Sequence, residues 1–346
     1  MMPLKVAQIG CGYFGRFQLA AWLRLAAKGE PVDFQGVADA SPAYRDRIEM
    51  DFPGTTVHSS IEDLMAENAY DIIDVATPPQ THREIIEPLL GKATLIICQK
   101  PFCENLTEAQ ELTAAAARSG TQLVIHENFR FMPWFRKIRE EIGAGRIGDV
   151  RQAYFRFRPG DGAGQDAYLS RQPYFRMMAR FLIHETGIHY IDTFRFLFGE
   201  PDTVYADLRT ENPVIAGEDA GFFILGYRNG MRAVFDANRT LDHSADNTRL
   251  TLGDFLVEGT EGSIRLDGNG RLFFRATGQT IEAPVSYTFS DRDFGGDCVY
   301  LFQKTICRHF SHNEPLETDA ETYLSNIRIE EAIYRSADLN KLIEIL

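Results

Sequence analysis

Along the first third of the chain, short apolar runs alternate with longer stretches whose apolar residues recur every three to four positions. Residues 6–9, 32–38, 71–76, 94–98 and 122–125 read as strands, with a shorter one at 55–58. The stretches 16–23, 42–50, 82–90 and 108–118, and another beginning at Ile61, carry helical periodicity. Strands that are apolar throughout bury both faces, which predicts a parallel sheet covered by helices on either side. After about residue 126 the period changes. In 150–158, Ala153, Phe155 and Phe157 oppose Gln152, Tyr154, Arg156 and Arg158, the alternation of a sheet with two unlike faces. Similar alternation marks 203–208, 220–227, 231–238, 249–258, 263–266 and 271–275. The turns Arg228-Asn229-Gly230 and Asp267-Gly268-Asn269-Gly270 predict antiparallel hairpins. Helices are expected at 133–142, 181–198, 297–310 and 320–337.

The turn that ends the first strand narrows the fold class. Gly10-Cys11-Gly12-Tyr13-Phe14-Gly15 has the spacing Gly-x-Gly-x-x-Gly between a strand and a helix. Gly10 allows the tight turn, Gly12 lets the backbone approach a pyrophosphate, and Gly15 lets helix and strand pack closely. The helix N-terminus adds N–H donors and a positive dipole end for phosphates. The second strand ends in Asp39, at the spacing of a ribose-binding acid, which favours NAD and leaves NADP as the alternative, softened by Ser41. The expectation is an α/β protein with an N-terminal Rossmann dinucleotide-binding domain at 1–125. An α+β domain for substrate binding and oligomerisation, on a largely antiparallel open sheet, follows at 126–346. Tyr13 and Phe14 fall within the cofactor turn.

Length, at 346 residues, suits two domains. The formal charge of −13, without a basic stretch, argues against nucleic acid and anionic membrane as partners. No apolar run is long enough to span a membrane, and residues 1–5 lead straight into a strand without a signal peptide. Five cysteines without a CxxC pair suit reduced thiols and a cytoplasmic protein.

Two places carry candidate chemistry. Gln99-Lys100-Pro101 follows the fifth strand, 94–98, which puts Lys100 at the carboxyl edge of the sheet. There an ammonium can hydrogen-bond a substrate hydroxyl and stabilise a developing alkoxide; a solvated surface lysine is the plain alternative. In His184-Glu185-Thr186-Gly187-Ile188-His189-Tyr190-Ile191-Asp192, the histidines are five apart, off the spacing of a zinc helix, so no metal is expected. Glu185 and His189 are i, i+4 and share a helical face, as a carboxylate and a general-base imidazole would. A pair that merely crosses a buried helix would look the same, and His184 and Asp192 suit structural roles.

These motifs occur in order with Ala76-Thr77-Pro78-Pro79-x-x-His82, Asn128-x-Arg130-Phe131-x-Pro133, Gly145-x-Ile147-Gly148 and the late 331–337 helix. Together they closely resemble the glucose–fructose oxidoreductase/inositol dehydrogenase/rhizopine-catabolism (Gfo/Idh/MocA) family over essentially the whole chain. The resemblance implies a pyridine-nucleotide oxidoreductase acting on sugars or polyols. It puts the family's lysine at Lys100, its histidine at His189, and its usual aspartate at Glu185. Gln99 stands where many members have glutamate. Reversible alcohol oxidation is implied, with His189 taking the hydroxyl proton and Lys100 stabilising the alkoxide. Thr77, Pro78, His82, Gln99, Lys100 and Asn128 are expected to line the nucleotide cleft, and Arg130 either lies beneath the nicotinamide or is structural. The polar stretch 156–180 supplies Arg156 and Tyr174 as substrate candidates, beside Lys100, Glu185 and His189. Aldose oxidation at C1, of a pentose or a branched furanose such as apiose, fits. An inositol-like polyol, a catalytically silent sensor and an NAD-dependent glycoside hydrolase are the alternatives. The exposed patterned sheet face predicts a homo-oligomer.

Overall fold

The computed structural model describes residues 2–345. The chain folds as two compact units, one of Met1–Asn128 and Val299–Ser325, the other of Phe129–Cys298 and Asn326–Leu346.

In the first unit, β1 (Leu4–Ile9), β2 (Val32–Ala38), β3 (Val57–His58), β4 (Ile72–Val75), β5 (Leu95–Gln99) and β6 (Gln122–His126) form one sheet of order β3-β2-β1-β4-β5-β6. Every pairing is parallel. Connections run through α1 (Gly15–Ala27), α2 (Pro42–Asp51), α3 (Ile61–Glu67), α4 (His82–Ile86) and α5 (Leu106–Ser119). β4 and β5 are buried along their whole length, as continuous apolar runs require. The strand order reverses between β1 and β4, the switch point where ligands of such sheets bind. The helix expected over 82–90 is shorter: Pro88, which has no N–H, falls in a tighter turn at Glu87–Leu89. A single boundary near residue 125 does not describe the chain either. Val299–Ser325 packs with the first unit: Gln303 Nε2 donates to Gln18 O at 3.1 Å, and Ile125 N donates to Thr318 O at 2.8 Å.

The second unit holds α6 (Pro133–Gly143), β7 (Val150–Phe157), α7 (Ile188–Phe198), β8 (Thr203–Arg209), β9 (Ala220–Gly226), β10 (Arg232–Asn238) and α8 (Thr248–Thr251). β11 (Gly253–Gly259), β12 (Gly262–Leu266), β13 (Leu272–Ala276), β14 (Ala283–Pro284), α9 (Phe294–His312), α10 (Ala320–Leu339) and β15 (Ile343–Glu344) complete the chain. The sheet runs β14-β13-β12-β11-β7-β10-β9-β8-β15 and is antiparallel except where β7 pairs with β10. Phe155 and Phe235 face each other in that register and pack on Tyr190 of α7, at ring-centroid distances of 4.3 and 4.7 Å.

Three expected elements differ here. Residues 249–258 are not one strand: α8 ends at Leu252 in the left-handed region (φ +62°), and β11 starts only at Gly253. The 181–198 helix begins as a π-helix, Leu182–Gly187, before α7 takes over. The start of α9 is interrupted by three consecutive left-handed residues, Gly295, Gly296 and Asp297. Glycine Cβ atoms there would come within 2.8 Å of Met132 and 2.9 Å of Pro133, so the packing itself requires the glycines.

Candidate active site

In the first unit the glycine turn is built as its spacing predicts. Gly10 is left-handed (φ +95°), and a Cβ on it would lie 2.7 Å from Ala76 O. A Cβ on Gly15 would lie 2.7 Å from Gly10 O, so helix and turn touch there. A Cβ on Gly12 would meet nothing within 4 Å, which leaves its backbone open to a ligand. Gln8, buried on β1, was not a sequence candidate, yet it ties the turn: Nε2 donates to Gly10 O at 2.7 Å and Gly15 O at 2.9 Å. The first turn of α1 carries no acid and no side-chain cap, so nothing in it opposes an anion. Asp39 accepts from Cys11 N at 2.7 Å on one oxygen and from Ser41 N at 2.8 Å on the other. Each carboxylate oxygen keeps a lone pair for a ribose hydroxyl. The turn, the open Gly12 and this half-buried acid fit NAD.

The other first-unit candidates lie at the same sheet edge. β1, β4, β5 and β6 are neighbours, and Gly10, Thr77, Lys100 and Asn128 each follow one of them closely. Gln99 Oε1 accepts from Lys100 N at 2.7 Å, so the residue before the lysine shapes its backbone. The Lys100-Pro101 peptide is cis. His82 lies with Nδ1 2.9 Å from Phe102 O and Nε2 2.9 Å from Thr77 O, pinning the Thr77-Pro78 turn to the segment after Lys100. Burial lowers its pKa although both carbonyls favour the charged ring. Asn128 is buried.

In the second unit, His189 opens α7 and is almost completely buried. The Phe129 ring stacks flat on it, with centroids 3.7 Å apart, and fixes the imidazole plane. Arg130, next to Phe129, forms a bidentate pair with fully buried Asp192, and Asn326 Nδ2 donates to the same carboxylate at 2.9 Å. Arg130 and Asp192 thus fasten the Phe129 strap to α7. The π-helix before His189 is held by Glu218, whose Oε1 accepts from Phe181 N and Ile183 N, both at 3.2 Å, and from Tyr334 OH at 2.6 Å. His184 Nδ1 lies 2.6 Å from Glu330 Oε1, which suits an anchoring role.

Glu185 receives hydrogen bonds from Thr186 Oγ1 and from Arg239 Nη2, the latter at 2.8 Å. Arg239, Glu218 and Phe129 belong to this site and were not sequence candidates, since each lies far in sequence from the motif it supports. Of the two expected substrate residues, Tyr174 is exposed, accepts from Gln172 Nε2 and packs on Phe175 at 4.9 Å. Arg156 points to the other sheet face, where it pairs with Asp254 at 2.7 Å; the structure does not join it to Glu185 or His189. Among the described residues no cluster of His, Cys, Asp and Glu could hold a metal ion, and no helix is long and apolar enough to cross a membrane.

Comparison with known proteins agrees with this architecture. Residues 4–127 match the oxidoreductase family with NAD-binding Rossmann fold, and residues 135–265 match the GFO/IDH/MocA C-terminal domain. A D-apiose dehydrogenase of Rhizobium rhizogenes is 29% identical over 350 residues, covering 100% of this chain and 98% of that protein. An inositol 2-dehydrogenase of Rhizobium meliloti is 25% identical, covering 83% of each chain. A crystal structure of an oxidoreductase from Agrobacterium radiobacter, in complex with NAD+, L-tartaric acid and magnesium, superposes with a TM-score of 0.86 at 26% identity, covering 99% of both chains. With both of its units accounted for, the chain belongs to the Gfo/Idh/MocA family of NAD-binding oxidoreductases.

Proposed function

We propose that this protein is an NAD-dependent sugar dehydrogenase that oxidises C1 of an aldose, a pentose or branched furanose such as apiose. The observation that carries this reading is the end-to-end similarity to a D-apiose dehydrogenase, which leaves almost no part of either chain unmatched. The inositol 2-dehydrogenase match is shorter and weaker, so a polyol substrate is the second reading. NAD, when bound, supplies the acceptor for two electrons and one hydrogen. This chain's residues do the rest. An imidazole nitrogen of His189, its plane set by Phe129, takes the proton from the reacting hydroxyl. The Lys100 ammonium donates to that hydroxyl oxygen and stabilises its negative charge as the proton leaves. Glu185, paired with Arg239, accepts from a neighbouring hydroxyl of the sugar. Gly12 and Asp39 hold the pyrophosphate and the adenosine ribose, and the acid favours NAD over NADP. Thr77, Pro78, His82 and Asn128 line the cofactor side.

Two coarser properties belong to the same reading. The outer face of the second sheet carries half-buried Phe222, Ile224, Val234 and Leu256, a surface suited to pairing with a second copy of the chain. The five buried thiols suit the reducing cytoplasm.

The test is NADH formation at mildly alkaline pH over a panel of aldoses and polyols, with NAD and with NADP. Lys100→Ala and His189→Ala should each lower kcat about 10²–10⁴-fold with the preferred aldose. Preference for inositols would install the polyol reading. Tight NAD binding without turnover of any panel member would overturn dehydrogenase function in favour of a sensor or a glycoside hydrolase.

A further inference from the structure

Behind the glycine turn of the first unit lies a group of fully buried polar side chains whose donors and acceptors do not match. Gln8 and Asp74 are direct partners in the parallel β1–β4 register, so their side chains leave the same sheet face about 5 Å apart. Asp74 Oδ2 accepts from Trp22 Nε1 of α1 at 2.8 Å and from Gln303 Nε2 of α9 at 3.3 Å. Gln303 Nε2 also donates to Gln18 O at 3.1 Å. Gln8 Nε2 gives its two hydrogens to Gly10 O at 2.7 Å and Gly15 O at 2.9 Å. The side-chain donors of Trp22, Gln303 and Gln8 are then all used. Without a hydrogen-bond partner among the described residues are Asp74 Oδ1, the amide oxygens of Gln8, Gln18 and Gln303, and one donor group, Gln18 Nε2. Each of these four side chains is 0% exposed, so acceptors in excess carry a full desolvation cost.

One proton changes that balance. Placed on Asp74 Oδ1, it turns an orphan acceptor into a donor that faces Gln8 Oε1 across the register. The Gln8 amide then accepts from Asp74 on its oxygen and keeps its nitrogen on the two glycine carbonyls. With Asp74 ionised, Gln8 Oε1 faces only another acceptor. A half-turn of the amide relieves this by pointing Nε2 at the carboxylate, and it takes Nε2 off Gly10 and Gly15. Those are the glycines whose close approach builds the turn, since a Cβ on Gly15 would lie 2.7 Å from Gly10 O.

The groups packed around Asp74 leave its charge to it alone. Its register partner on β5 is Ile97, and the adjacent Cys98 is a thiol that burial holds well above its usual pKa. On α4, His82 has its two ring nitrogens against the Phe102 and Thr77 carbonyls. The cations of α1 and α9 have other contacts: Arg16 pairs with Asp51, Arg24 lies over the Tyr300 ring and Lys304 pairs with Glu30. Lys5 of β1 is exposed near the other end of its strand.

We propose that Asp74 is a positioning residue for the cofactor turn: its proton holds the Gln8 amide on Gly10 and Gly15, and NAD binds this protonated form in preference to the ionised one. Burial pushes the Asp74 pKa up to about 7, so the exchange falls near neutral pH. A ligand that favours the protonated form raises that pKa further and takes up protons as it binds.

The experiment is isothermal titration of the whole protein with NAD between about pH 5.5 and pH 9, in pairs of buffers that differ in ionisation enthalpy. Wild type, Asp74→Asn and Gln8→Met are compared, with thermal midpoints measured beside them. The asparagine amide donates to Gln8 Oε1 at every pH and so fixes the protonated arrangement, whereas methionine removes the relay. The wild-type Kd for NAD should be level at the acid end and rise about tenfold by the alkaline end. Binding should take up about half a proton near the midpoint of that rise, the amount that a tenfold coupling requires. Asp74→Asn should keep the tight acid-end Kd within about twofold throughout and take up no proton. Gln8→Met should bind about tenfold more weakly at the acid end and lose the slope. If Asp74→Asn does not fold, proton uptake in wild type that disappears in Gln8→Met supports the inference by itself. A wild-type Kd indifferent to pH overturns it, as does a slope that persists in either variant. A purely structural Asp74 would shift the thermal midpoint and leave the slope in place, which is the same negative result.

Discussion

Asp74 is a carboxyl that the proposed chemistry does not use, and it makes a testable link between burial and stability. It sits opposite Gln8 in the β1–β4 ladder, fully buried, and accepts from Trp22 Nε1 at 2.8 Å and Gln303 Nε2 at 3.3 Å. Burial pushes its pKa up to about 7, against the pull of those two hydrogen bonds. Asp74 Oδ1 and Gln8 Oε1 are buried acceptors with no hydrogen-bond partner among the described residues, and a protonated carboxyl supplies a donor to such a cluster. A carboxyl with a raised folded-state pKa contributes its stability fully below the unfolded value, near 4, and loses it as pH rises through the folded value. Wild type should therefore lose stability relative to Asp74→Asn by roughly 1 kcal/mol per pH unit between about pH 4 and pH 7. Thermal midpoints of the two proteins across that range decide it: parallel curves would show that Asp74 is ionised throughout.

At the scale of elements, the glycine turn separates what the fold needs from what the cofactor needs. Gly15→Ala pushes a methyl to 2.7 Å from Gly10 O, so it should cost about 1–3 kcal/mol of stability before any ligand is added. Gly12→Ala meets open space and should change stability by less than about 0.5 kcal/mol, yet weaken NAD tenfold or more by blocking backbone approach. Thermal midpoints without NAD and a fluorescence titration with it measure the two effects separately. Equal NAD affinity in Gly12→Ala and wild type would remove the pyrophosphate from this turn. The same turn explains what was legible in the sequence. Its glycine spacing, the all-apolar strands and the two hairpin turns are local signals, and each fixes one element or its neighbour. The π-helix at Leu182–Gly187 is not local in that sense. Its apolar residues suit an ordinary helix, and what holds the wider turn is Glu218, more than thirty residues on, with Tyr334 behind it. Arg239 is hidden for the same reason, because nothing in the chain around it announces Glu185. Val299–Ser325 returns to the first unit through Gln303 and Thr318, contacts that no periodicity carries.

At the scale of the whole molecule, the five native thiols report on opening without any engineered cysteine. Cys11, Cys98, Cys103, Cys298 and Cys307 are each at most 3% exposed. Burial raises the pKa of Cys11, Cys98 and Cys103, and that of Cys307 up to about 12, so little nucleophilic thiolate exists at neutral pH. A disulfide reagent should thus find no fast-reacting thiol in the folded protein and five after denaturation. Four of the five, all but Cys298, lie in the first unit, where the glycine turn is. A ligand that binds only the folded unit suppresses its opening by the factor 1 + [L]/Kd, so NAD at a hundred times its Kd should slow labelling of those four about 100-fold. Cys298 serves as the reporter of the second unit in the same sample. Peptide-level mass spectrometry after timed labelling, with and without NAD, resolves the cysteines individually. Labelling of the first-unit thiols at a rate indifferent to NAD would mean either that the cofactor does not bind this unit or that the thiols react without its opening, and the unliganded rate against denaturant tells the two apart.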